Sequence, residues 1–204
     1  MNKINLSIRI KRKIKNIITK CLFQYLRIVK YKFLSDCKNI VGAPIYNQPA
    51  QLLGVGKIIF GNNVNLGVQA SPMFYNGYGY IDARKEFSLI LIGNDVWINN
   101  NFIIVSEGEG IEIGEKTMIG INLEITDTDS HDLHPGRRIC GLPKTSKVII
   151  GKNVFIGANV KILKGVVIGE NSVIANSSVV TKSIPANVIA GGVPAKVIRT
   201  LDFS

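Results

Sequence analysis

Two histidines occur in 204 residues, His131 and His134, and both sit in a polar stretch rich in acids. Asp127-Thr128-Asp129-Ser130-His131 sets carboxylates two and four residues before an imidazole, and Asp132 follows it. An imidazole near neutrality can take a proton from a hydroxyl. A carboxylate on its second ring nitrogen would fix the tautomer and stabilise the imidazolium. Read locally, His131 is equally a solvated loop residue. Asn99, Asn100 and Asn101 form a second polar cluster, able either to donate to a developing negative charge or to build a turn, since asparagine tolerates left-handed backbone. A third group, Tyr75, Tyr78, Tyr80, Asp82 and Arg84, mixes flat rings with charge. Such a surface suits a sugar, and it also reads as an exposed loop. Cys21, Cys37 and Cys140 are scattered, with no C-x-x-C pair. With only two histidines, a three-histidine metal site within one chain is excluded. No metal is expected, and the sparse odd cysteines point to a reducing cytoplasm.

The elements that must position these groups announce themselves by a period of six. From Ile150 the chain reads IGKNVF, IGANVK, ILKGVV, IGENSV, IANSSV, VTKSIP. An aliphatic residue recurs at Ile150, Ile156, Ile162, Ile168, Ile174 and Val180, usually followed by Gly or Ala. Val154, Val160, Val166, Ser172, Ser178 and Ile184 take the fifth place. Earlier hexads start at Phe60, Ile92 and Ile113. A helix would repeat near 3.6 and a simple strand at two, so six implies short strands joined by tight turns. One hexad cannot bury its apolar side, so coils must stack. A Gly-rich β-sandwich is disfavoured because its turns would recur every 8–12 residues. The period breaks over residues 126–147, a polar segment with Pro135, Gly136, Gly141 and Pro143. It reads as a loop ejected from the stack, and His131 stands at its head.

These repeats, with the ending VTKSIPANVIAGGVPAKVIR, resemble the hexapeptide-repeat acyltransferases, in particular the galactoside and maltose O-acetyltransferase branch that includes surface-polysaccharide O-acetyltransferases. The resemblance spans about Phe60 to Arg199. It implies an all-β fold, a left-handed parallel β-helix of about six coils, and homotrimers with active sites between neighbouring prisms. It implies acetyl-coenzyme A as donor and His131 as general base, with Asp129 beside it. Asn99 takes the register of the family's active-site asparagine, which helps to stabilise the transition state. The donor groove would use Thr181, Lys182, Lys196 and Arg199, and the backbone N–H of Ala158 where a serine is common. Glu107, Asp82 and Tyr80 would meet the acceptor. Phe155 stands where relatives often carry a tryptophan, and would keep a flat wall without the indole N–H.

The formal charge of +11 is unevenly spread. Residues 1–40 carry eleven basic side chains and one acid, Asp36; residues 41–204 carry fourteen and thirteen. The expected organisation is a basic amphipathic arm, 1–40, on an acyltransferase domain, 41–204. In the arm, Ile8, Ile10, Ile14, Ile17, Ile18, Leu22, Tyr25, Leu26 and Val29 give a helical stripe between lysines, suited either to an anionic membrane surface or to its own oligomer. The near-neutral body offers no nucleic-acid surface. No apolar run is long enough to span a membrane, and the N-terminus does not read as a signal peptide. There is no Walker-type loop and no dinucleotide-binding glycine pattern. The expected activity is O-acetyl transfer from acetyl-coenzyme A to a sugar hydroxyl in the cytoplasm, on a polysaccharide, glycoside or nucleotide sugar. N-acetylation of an amino sugar and a non-catalytic β-helix scaffold are the alternatives.

Overall fold

The computed structural model describes residues 3–203. Met1, Asn2 and the side chain of Ile8 in the arm's stripe lie outside the described residues. The chain starts with a helical arm, Lys3–Thr19, a π-helical turn Lys20–Tyr25, and Leu26–Phe33. From Asn39 onward it winds into a triangular prism. Face 1 stacks Asn39–Val41, Lys57–Phe60, Leu89–Ile92, Ile111–Ile113, Val148–Ile150 and Val167–Ile168. Face 2 stacks Ile45–Tyr46, Asn65–Leu66, Trp97–Ile98, Met118–Ile119, Phe155–Ile156, Val173–Ile174 and Val188–Gly192. Face 3 stacks Ala50–Leu53, Gly79–Ala83, Ile103–Ser106, Glu124–Thr126, Lys161–Ile162 and Val179–Val180. Within the faces these strands pair in parallel; only the last strand, Ala195–Thr200, turns back antiparallel on Val188–Gly192.

The hexads explain this winding. Each turns the chain through one face, so three return it 18 residues later onto itself, as Ile150 pairs with Ile168, Ile156 with Ile174 and Ile162 with Val180. The first and fifth hexad positions both point inward: Ile150, Ile156, Ile162, Val154, Val160 and Val166 are at most 1% exposed. Fully burying such a side chain is worth roughly 1.5–3 kcal/mol, which a lone coil cannot realise. The fourth position takes left-handed backbone at Asn153, Asn159, Gly165, Asn171 and Ser177, which is why Asn and Gly favour it. The small second position keeps the coils close: a Cβ on Gly151 would lie 2.7 Å from the Glu170 backbone nitrogen. Asparagine side chains also run from coil to coil, as in Asn101–Asn122–Asn159, each bond 2.8 Å.

Three edges join the faces. The second edge, from face 2 to face 3, carries Asn99–Phe102, Gly120–Asn122, Gly157–Asn159 and the excursion 67–78. The third edge, from face 3 to face 1, carries Arg84–Ser88, Glu107–Gly110, the long loop 127–147, Leu163–Val166 and Thr181–Ser183. The arm is fastened to the excursion on the second edge. Gln24 (4% exposed) donates to the carbonyls of Asn47 and Phe74, Arg27 donates to those of Phe74 and Gly77, and Tyr31 stacks on Tyr78 at 4.4 Å. Among the described residues no helix is long and apolar enough to cross a membrane.

Candidate active site

The His131 ring lies on the exposed head of the third-edge loop. Its Nδ1 sits 3.1 Å from the carbonyl oxygen of Arg138. A carbonyl can only accept, so Nδ1 carries the proton and Nε2 keeps its lone pair. The backbone therefore sets the tautomer a general base needs, where the sequence suggested a carboxylate. Asp132 closes the turn that brings Arg138 back: it accepts from His134 N at 2.8 Å and from Arg137 Nε at 2.8 Å. The Arg137 bond, then the His134 N–H, hold the Asp132 carboxyl below the usual carboxylate range. His134 is engaged differently, since its Nδ1 accepts from Gly136 N at 3.2 Å and so caps the short turn Pro135–Arg137.

The two acids ahead of His131 have partners other than its ring. Asp129 Oδ2 lies 3.5 Å from Lys164 Nζ, tying the loop to the next coil on the same edge. Asp127 is fully buried. It continues the inward alternation of Leu123 and Ile125, a signal legible in the strand period. Its carboxylate accepts from Ser106 Oγ at 2.8 Å and from the backbone N–H of Glu107, Gly108 and Gly110 at 2.8, 3.1 and 2.9 Å. Asp127 thus folds the Glu107–Gly110 turn around itself and fixes Glu107.

Glu107 belongs to a charged row on face 3 and the third edge. Tyr80 and Asp82 alternate on the outer side of Gly79–Ala83, and Arg84 continues the alternation just past its end. Tyr80 OH donates to Asp82 Oδ2 at 3.1 Å, and Arg84 Nε donates to the same oxygen at 2.9 Å. Arg84 and Lys85 approach Glu107 at 3.7 and 3.5 Å, and Thr128 Oγ1 donates to it at 3.3 Å. Burial and then the Asp82 charge push the Tyr80 phenol up, keeping it a neutral donor. The structure therefore brings Tyr80, Asp82, Arg84 and Glu107 together, and Thr128 links them to the loop that carries His131. Arg84 and Thr128 complete a group that the sequence signalled only as an aromatic and polar mixture.

Asn99 lies on the second edge. Its Oδ1 accepts from Asn100 N at 2.7 Å, which leaves both Nδ2 protons as available donors. Asn100 is buried and structural: Nδ2 reaches the carbonyls of Val68, Ser71 and Pro72, and Oδ1 accepts from Val68 N. It clamps the excursion 67–78 against Asn99. The Ala158 N–H, also on this edge, is not free; it donates to Asn176 Oδ1 at 2.8 Å. A ligand carbonyl there would have to displace the Asn176 side chain, which sequence reasoning did not foresee. Phe155 lies on face 2, half-exposed, between Met118 and Val173. Thr181 and Lys182 are exposed on the third edge below the His131 loop, and Lys196 and Arg199 are exposed on the last strand beside face 2. Among the described residues none of these three bases forms an ion pair.

The candidate groups therefore divide between two edges. Asn99 and Ala158 begin face 3; Glu107 and the His131 loop end it. A four-residue strand such as Ile103–Ser106 spans about 13 Å, so Asn99 and His131 of one chain do not meet. An open cleft of about 430 Å³ lies elsewhere, under the arm between Thr19, Leu22, Phe23, Arg27 and Tyr75. Among the described residues no cluster of three or more His, Cys, Asp or Glu gathers.

Comparison with known proteins places this geometry. The bacterial transferase hexapeptide family (six repeats) matches residues 147–182. The galactoside O-acetyltransferase of Lactococcus lactis is 36% identical over 157 residues, covering 77% of this chain and 71% of that protein. The chain belongs to the hexapeptide-repeat acyltransferases. The Escherichia coli galactoside O-acetyltransferase is 40% identical over 131 residues, covering 64% of this chain and 60% of that protein. A solved galactoside acetyltransferase in complex with coenzyme A is 33% identical, with a TM-score of 0.54, covering 70% of this chain and 65% of that one. The chain thus spans between 60% and 71% of these relatives' lengths. Its three parallel sheets are the left-handed β-helix of the family.

Proposed function

We propose that the protein transfers the acetyl group of acetyl-coenzyme A directly to a hydroxyl of a sugar. The observation that carries the reading is the Nδ1–H bond from His131 to the Arg138 carbonyl, which leaves Nε2 as a base on an accessible loop. Its Nε2 would take the hydroxyl proton as the oxygen attacks the thioester carbonyl. The tetrahedral oxyanion would accept from the Nδ2 donors of Asn99. Its collapse would expel the coenzyme A thiolate, which the imidazolium would reprotonate. No covalent enzyme intermediate is needed. Tyr80, Asp82 and Glu107 would orient the sugar hydroxyls, with Arg84 bridging the two carboxylates. Lys182, Lys196 and Arg199 would hold the phosphates of the donor, and Phe155 would wall the groove.

In this reading residues 41–204 do the chemistry and 1–40 stand apart from it. The division of the groups between two edges supports a site closed by a second copy, His131 from one prism and Asn99 from its neighbour. Edges that differ, meeting head to tail, close into a ring, which fits a homotrimer. Relatives named for galactoside O-acetylation support a hydroxyl rather than an amine as acceptor. The test is acetyl transfer onto a panel of glycosides, amino sugars and nucleotide sugars, with ester distinguished from amide by its lability to hydroxylamine. Ester on a glycoside is expected. Amide alone would move the reading to N-acetylation, and neither product nor donor binding would reduce the protein to a scaffold.

A further inference from the structure

We propose that the N-terminal arm is a docking surface for an anionic lipid bilayer, on which it lies flat without crossing. Between Met1 and Asp36 the chain has no acid, and ten of its eleven basic side chains precede Asp36. The helix Lys3–Thr19 is about 26 Å long at the standard rise, too short and too charged to span but suited to the interfacial plane. Ile10, Ile14, Ile17 and Ile18 fall at spacings of three and four, and Leu22, Tyr25 and Leu26 continue the stripe through the π-helical turn. All seven stand out from the chain, with Ile14 51%, Leu22 55% and Tyr25 64% exposed. Arg9, Lys11, Lys13 and Lys15 are exposed on and beside the stripe.

The arm's attachment lies C-terminal to the four isoleucines and leaves them uncovered. Gln24, Arg27 and Tyr31 turn toward the prism and take the carbonyls of Asn47, Phe74 and Gly77 and the ring of Tyr78. Leu22 and Tyr25 line open clefts beside this attachment, while Ile10, Ile14, Ile17 and Ile18 lie ahead of it and remain half-exposed. Charge selects the occupant. Of the thirteen acids in 41–204, Asp82, Glu107, Glu112, Glu124, Asp129, Asp132 and Glu170 are already paired with the body's own bases, and Asp127 is buried. The other five, Glu86, Asp95, Glu109, Glu115 and Asp202, are exposed but dispersed along the body, whose fourteen bases outnumber its thirteen acids, so a second copy offers the arm no net acidic face, and arms packed on one another would bring like charges together. A bilayer with anionic headgroups supplies both an apolar layer for the isoleucines and negative charge for the lysines.

The full-length protein, mixed with vesicles of phosphatidylcholine and phosphatidylglycerol at 3:1, should float with them at 0.1 M salt and not with phosphatidylcholine alone. Replacing Lys11, Lys13 and Lys15 by Gln should weaken partitioning on the order of 100-fold. Ile14→Glu with Ile18→Glu should abolish it while leaving the oligomer size unchanged by light scattering. Because these residues are exposed, both variants should fold, as circular dichroism would verify. The proposal is overturned if the wild type ignores anionic vesicles, or if the glutamate variant floats as well as the wild type. It is equally overturned if that variant breaks the oligomer apart, for then a second copy covers the stripe. Flotation is read without turnover, so the outcome stands independently of the reaction proposed above.

Discussion

Replacing Asp127 by Asn keeps size and shape and removes one acceptor. In the native structure Oδ2 serves Ser106 Oγ, Gly108 N and Gly110 N, while Oδ1 serves Glu107 N. An amide oxygen can replace Oδ2, but the amide nitrogen then meets the Glu107 N–H donor to donor. One hydrogen bond to a charged group is lost outright, worth about 1.5–3 kcal/mol, and the remaining three lose their ionic character. With about 1.4 kcal/mol per factor of ten, the amides of Glu107, Gly108 and Gly110 should exchange with solvent roughly 10 to 150 times faster than in the wild type. Ile104 and Ile125, in the neighbouring core, should keep their protection. Asp127→Ala should be worse, since four donors would then lie buried without a partner. Donor binding should survive in both, whereas KM for the acceptor should rise because Glu107 is no longer held. Amide exchange at Gly108 and Gly110 in Asp127→Asn within twofold of the wild type would refute the role assigned to this carboxylate.

Three further perturbations follow from the same geometry. Asn100→Ala strips three carbonyls and one N–H of the 67–78 excursion of their partner and should cost about 2–4 kcal/mol, read as a lowered thermal midpoint together with protease cleavage confined to that excursion. Gly79→Ala would set a Cβ 2.2 Å from the ring of the fully buried Phe102, an overpacking worth about 1–3 kcal/mol, and Phe102→Leu in the same chain should restore most of the thermal midpoint. Asp132, whose carboxyl is held low, orders the 131–138 turn at any pH above the ordinary carboxylate range. That contribution is lost as pH falls through the depressed value, so the His134 amide and Arg137 Nε–H resonances should shift toward those of a mobile loop in acid, and Asp132→Asn should produce the same change at neutral pH.

The hexads carry most of the fold in their sequence pattern. Inward aliphatics at the first and fifth positions, a small second position and Asn or Gly at the fourth each correspond to one physical demand of a stacked coil. The ejected loop was legible as a break in that period, and Asn99 as a corner residue by its register. What the sequence could not disclose were contacts made by the backbone and by distant coils. The partner of His131 is a carbonyl seven residues on, invisible in side-chain identities, so three nearby aspartates looked like better candidates. The N–H of Ala158 looked free because its acceptor, Asn176, belongs to the following coil. The π-helical turn that aims Gln24 and Arg27 at the prism leaves no mark in composition. The separation of Asn99 from His131 could have been counted from the register, since a whole face 3 strand lies between their edges.

His131 acting as base across a junction between copies is the step most directly open to test. His131→Ala and Asn99→Ala chains should each be nearly inactive alone, since a general base is worth about 100- to 10,000-fold. Co-assembled in equal amounts, they should recover about a quarter of wild-type turnover, because one junction in four would pair an intact His131 with an intact Asn99. Recovery near that fraction is the predicted result. Full activity in His131→Ala alone, or no recovery in verified mixed assemblies, would contradict it.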